Sequence, residues 1–182
     1  MLSKVTQESN DLALFRHRRI VPMIIRILPF LFLLFGCSAV EPIQEPKNEN
    51  ILVAEVFLNM EERRDRYELN AFLGIDPVRI EWCAAFVNSV LEMNGIEGTD
   101  SLLARSFLNW GNEVDQPKEG DIVVLPRGRS AWQGHVAFFA GETTINNVSY
   151  YVLLGGNQEN KVTYDLFKKS KVLSVRRHPF SN

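Results

Sequence analysis

Two short runs constrain this chain more than any other part of it. Glu81-Trp82-Cys83-Ala84-Ala85-Phe86-Val87-Asn88 puts a cysteine at the head of a segment with apolar residues at helical spacing, Phe86 and Val90, and Val87 and Leu91, being paired four apart. Gly134-His135-Val136-Ala137-Phe138-Phe139 puts a histidine at the head of an apolar strand. A thiol at a helix start and an imidazole at a strand start are the two parts of an activated sulfur nucleophile and its base.

Counting strengthens the pairing. The chain has two cysteines, Cys37 and Cys83, and three histidines, His17, His135 and His178. Cys37 and His17 fall in an N-terminal stretch with the marks of a targeting segment, and His178 sits beside Pro179 near the end of the sequence. Cys83 and His135 are the pair that remains.

In the N-terminal stretch, Arg16, Arg18, Arg19 and Arg26 precede the apolar run Ile27 to Phe35. A bilayer span needs about 20 apolar residues, whereas the apolar region of a secretory signal needs roughly 7 to 15. The run closes on Leu34-Phe35-Gly36-Cys37, which resembles the lipobox of bacterial lipoproteins, in which the cysteine becomes a lipid-modified N-terminus. Residues 1–36 are therefore expected to be a lipoprotein signal peptide. Cys37 is the expected lipid anchor, on the periplasmic face of the outer membrane by resemblance to lipoproteins with Ser after the cysteine. An uncleaved membrane anchor and a Cys37–Cys83 disulfide are the alternatives.

Residues 38–50, with Pro42 and Pro46 among acidic side chains, read as a flexible tether, and residues 51–182 as one folded domain. From Cys37 onward there are 15 basic and 20 acidic side chains, a balance that argues against a nucleic-acid partner. A monomer is expected, and the chemistry calls for no metal or cofactor.

Within the domain, apolar positions predict a first helix over 51–69, a second over 82–94 closed by Asn94-Gly95, and a third over 102–110 closed by Gly111. Beyond Pro117 the pattern changes to five strands, at 121–125, 135–140, 149–154, 162–164 and 171–175, separated by Gly, Pro and Asn. Helices first and antiparallel strands afterwards predict an α+β fold. A helix N-terminus favours negative charge, so the Cys83 thiol is expected to titrate below its free value of about 8.5. The Cys83 N–H is aimed where an oxyanion would develop.

Trp82-Cys83-Ala84-Ala85-Phe86-Val87, the Pro117 to Val123 stretch P-K-E-G-D-I-V, Gly134-His135-Val136 and Gly155-Gly156-Asn157-Gln158 together resemble the NlpC-type and CHAP-type bacterial cell-wall hydrolases of the papain-like superfamily. The resemblance implies a papain-like domain that hydrolyses an amide bond in peptidoglycan through a thioester, with Cys83 as nucleophile and His135 as base. It points to Asn157 as the third residue, its amide oxygen accepting from the His135 ring; an ordinary turn is the alternative there. Trp82 and Arg105 are candidates for substrate binding, and Arg127 and Arg129 for attracting stem-peptide carboxylates, beside the alternatives of packing and solvated charge. Two other function classes stay open. One is a non-catalytic lipoprotein that binds cell-wall peptide or a partner protein, and the other is a Cys-His acyltransferase or deamidase.

Overall fold

The computed structural model describes residues 47–179; the expected signal peptide and Cys37 lie outside them. Asn48 opens helix α1 (Glu49–Val56) by accepting the Asn50 N–H at 2.9 Å, and it donates its own N–H to Glu119. Asn50 in turn donates to the Gly120 carbonyl at 3.2 Å. These last tether residues are thus bound to the folded part.

The single helix expected over 51–69 is two. After α1 the chain turns at Asn59, which takes a left-handed φ of 68°, and α2 (Arg66–Leu73) starts anew. Between them, Asn59 donates to the Val162 carbonyl at 2.8 Å, Val162 donates to Met60 at 2.9 Å, and Glu61 bridges to Lys161. Pairing with an extended segment has overridden helical periodicity here. Helix α3 (Cys83–Met93) runs as predicted, with Cys83 to Val87 all buried, whereas the third predicted helix is a 3-10 turn over Ala104–Asn109. Phe57 stacks on Phe72 with ring centres 3.8 Å apart, and both meet Phe86 edge-on, which ties α1 and α2 to α3.

Six strands follow, one more than predicted: β1 (Asn112–Glu113), β2 (Ile122–Pro126), β3 (Gly134–Ile145), β4 (Val148–Gln158), β5 (Lys161–Lys168) and β6 (Ser174–Arg177). All pairings are antiparallel, in the order β1-β6-β2-β3-β4-β5. The additional strand is two residues long, too short to leave an alternating pattern. Lys171, expected to begin the last strand, closes a 3-10 turn over Lys169–Lys171 instead. Helices and an antiparallel sheet make the α+β fold that the sequence predicts.

The sheet is apolar on both faces, so β2 reads as a continuous buried run. Ile122, Val124, Val136, Phe138 and Leu154 pack with the helices. Val123, Leu125, Ala137, Phe139 and Leu153 form a second cluster with Tyr151 and Val175. The P-K-E-G-D stretch is an anchor for this sheet: the Asp121 carboxylate accepts the Lys118 N–H at 2.7 Å and a forked pair of bonds from Arg177 at 2.8 and 2.6 Å. That pins the start of β2, the strand that leads into the site.

Candidate active site

His135 is placed by a hairpin. It pairs with Leu125 in the β2–β3 register, and Pro126 pairs with Gly134, leaving 127–133 as the connecting loop. Gln133 organises that loop, its Oε1 accepting the N–H groups of Arg129 and Ser130, each at 3.1 Å. Arg105 secures the loop's end by donating Nε to the Gln133 carbonyl at 2.7 Å. The imidazole is 4% exposed, with its ring stacked on Phe167 at 5.4 Å.

Cys83 is the first residue of α3 and is 3% exposed. The backbone N–H groups of Val136, the residue after His135, and of Ala84 act on its sulfur in favour of the thiolate. Helix and sheet meet this closely because β4 carries Gly156. A Cβ on Gly156 would overlap the Trp82 ring and Phe86, and one on Gly155 would press on Ala137. Trp82 is accordingly core and not groove: it is wholly buried, edge-on to Phe86, with Nε1 3.4 Å from Glu62. Arg105, bound to the loop backbone, is a brace and not part of the cleft lining.

The amide beside the His135 ring is not that of the expected Asn157. β4 breaks register between Gly155 and Gln158, and Asn157 takes a left-handed φ of 57° in that irregularity. The Asn157 amide therefore turns away from the imidazole and donates to Glu81 Oε2 at 2.7 Å. Gln158 takes the place beside the histidine, with Oε1 3.0 Å from His135 Nε2. Its amide nitrogen donates to the carbonyls of Leu153 at 3.3 Å and Thr163 at 2.5 Å. An amide whose NH2 is engaged by two carbonyls presents oxygen on the other side, so Nε2 of His135 must be the protonated nitrogen. Nδ1 is left as the acceptor; it is buried and has no hydrogen-bond partner, Cys83 included.

Both side chains are neutral at rest. Burial pushes the Cys83 thiol above its ordinary value, against the opposing pull of the Val136 N–H, Arg127 and the Ala84 N–H. The lowered thiol pKa expected from the helix N-terminus is thus overridden by desolvation. Burial also drops His135 to about 4, only partly countered by the bond to Gln158.

Two adjoining clefts open on the pair. One, of about 390 Å³, is lined by Cys83, Glu81, Leu102, Leu103 and the loop residues Arg127 and Trp132. The other, of about 190 Å³, is lined by His135, Asn157, Gln158, Asp165 and Phe167, again with Arg127. Trp132, 64% exposed on the wall of the Cys83 cleft, was not singled out in the sequence, although a tryptophan in a Gly-, Arg- and Ser-rich loop just before Gly134-His135 is a readable signal. Arg129 lines neither cleft.

Residues 75–157 match the CHAP domain family, a stretch that starts ahead of α3, includes Cys83 and His135, and ends one residue short of Gln158. Over that stretch the chain is similar to CHAP domains. No curated protein matches the chain. CHAP domains act in general as peptidoglycan hydrolases or amidases. β5 and β6 lie C-terminal to the matched stretch and complete the sheet.

Proposed function

We propose that this protein hydrolyses an amide bond of peptidoglycan with Cys83 as nucleophile, His135 as general base and then acid, and Gln158 as the residue that orients the base. The observation that carries the reading is the tautomer. The two carbonyls on the Gln158 amide leave its oxygen for Nε2–H, so the Nδ1 lone pair is free to take a proton. With both groups neutral at rest, Nδ1 removes the thiol proton as sulfur attacks the substrate carbonyl. A C–S bond forms, and the backbone N–H groups of the first α3 turn face the oxyanion. The imidazolium then protonates the leaving amine as the C–N bond breaks, giving a thioester and a free amine. Water, deprotonated at Nδ1, cleaves the thioester to release the acid and restore the thiol.

Export and lipidation at Cys37 complete the proposal, with residues 1–36 as the signal and a tether ahead of α1. They would hold a monomeric domain at the membrane facing the cell wall. Among the described residues no helix is long and apolar enough to cross a membrane.

A second reading, a domain that binds cell-wall peptide without cutting it, draws support from the absence of a Cys83–His135 hydrogen bond. Incubating the protein with purified peptidoglycan and weighing the released fragments separates the two. Hydrolysis lost in folded Cys83→Ala protein supports the thiol mechanism, and activity close to that of the unmodified protein would rule it out.

A further inference from the structure

Arg127 is the one residue that lines both the Cys83 cleft and the His135 cleft. Its guanidinium is partly engaged: Nη1 lies 3.2 Å from Glu81 Oε2, and Nη2 donates to the Asn157 carbonyl at a long 3.4 Å. Glu81 Oε2 also accepts the Asn157 amide at 2.7 Å. The two charged partners differ in exposure. The Glu81 side chain is 77% exposed and that of Arg127 41%, so the carboxylate is the partner free to leave. An exposed ion pair of this kind is weak and readily exchanged.

The linings decide where an incoming group would sit. Asp165 and Glu159 line the His135 cleft, which opposes an anion there. Glu81 is the one acidic residue lining the Cys83 cleft, and when it swings out, Arg127 is the one charged residue left on that lining. A guanidinium has five N–H donors in a fixed fork that fits a carboxylate with two parallel bonds.

We infer that Arg127 binds a carboxylate of the substrate peptide in the Cys83 cleft, and that Glu81 is the resident carboxylate it displaces. The inference rests on the cleft being a peptidoglycan site and narrows its substrate to stem peptides with a free carboxylate near the scissile amide. Sulfur attack then occurs on an acyl group held from Arg127, with Trp132, Leu102 and Leu103 forming the apolar wall.

The test uses full-chain Cys83→Ala protein, which cannot turn over, and two probes: a muropeptide with free carboxylates, and the same muropeptide with its carboxylates converted to carboxamides. Calorimetry should show the carboxylate form binding about ten-fold more tightly, the scale of one charge-assisted contact. Adding Arg127→Gln should abolish that preference, and adding Glu81→Gln should tighten binding of the carboxylate form, with folding of each variant confirmed by circular dichroism. Equal binding of the two probes, or a preference that survives Arg127→Gln, overturns the inference while leaving the proposed hydrolysis intact. Failure of both probes to bind, together with no release of fragments from peptidoglycan by the unmodified protein, sinks both.

Discussion

Gln158 and His135 form a fixed donor–acceptor unit: Oε1 of the glutamine lies 3.0 Å from Nε2 of the imidazole, and the glutamine's amide nitrogen is engaged by two backbone carbonyls. The arrangement sets the histidine tautomer without any charge, because a flipped amide would set its oxygen against the carbonyls of Leu153 and Thr163. It also leaves Nδ1 as the one buried side-chain nitrogen or oxygen without a hydrogen bond among the described residues. In the proposed reaction that nitrogen is the proton acceptor.

Removing the orienting amide should therefore slow the chemical step more than it weakens binding. Gln158→Ala is expected to lower kcat about 10- to 100-fold, part of the roughly 100- to 10,000-fold that a positioned base supplies, with KM little changed. Asn157→Ala, whose amide binds Glu81 and not the imidazole, should have a smaller effect on kcat. Steady-state kinetics on a defined muropeptide checks the contrast; equal losses in kcat would remove Gln158 from the proposed role.

The thiol gives a second prediction. Burial dominates the environment of Cys83 and holds it above its ordinary value in the resting protein. Iodoacetamide labelling followed against pH should show an apparent pKa above about 8.5, the value of a free cysteine. A resting midpoint near 6 would instead mean a preformed thiolate and imidazolium pair.

Much of this was legible in the residues, because the signals were local. Cys83 at a helix start and His135 at a strand start follow from apolar spacing, and the α+β order follows from the change of period after Pro117. What was missed depends on long-range contacts. The break at Asn59 exists because that segment pairs with Val162, about a hundred residues away. The choice between Asn157 and Gln158 turns on a β-irregularity: in a regular strand the two side chains point to opposite faces, and a left-handed Asn157 reverses which one meets the histidine. Desolvation of the thiol could not be read from a helix N-terminus, since it depends on how tightly Gly156 lets the sheet close on α3.

That closeness is itself testable. Gly156→Ala puts a methyl group into the Trp82 ring and Phe86 at the junction of α3 and β4. Overpacking of this kind costs about 1 to 3 kcal/mol. Urea denaturation should show the midpoint falling with little change in slope, and activity should fall in the folded protein because the helix start that carries Cys83 is pushed off the sheet. An unchanged midpoint would mean that the two elements are more loosely packed than described.

The buried imidazole also makes folding sensitive to acid. His135 titrates at about 4 in the folded protein against 6.5 for an unperturbed histidine, so between those values the unfolded chain binds more protons than the folded one. Stability then rises with pH through this window, and is lost as pH falls from about 6.5 towards 4. A gap of this size corresponds to about 3 kcal/mol for a wholly buried group, an order-of-magnitude figure. His135→Gln has no proton to gain, so its stability should be flatter across the window even if it is lower at neutral pH. Measuring the urea midpoint of both proteins at pH 7, 6, 5 and 4.5 gives the comparison. Parallel curves would show that carboxylates elsewhere govern the acid response, and that His135 is not held neutral by burial.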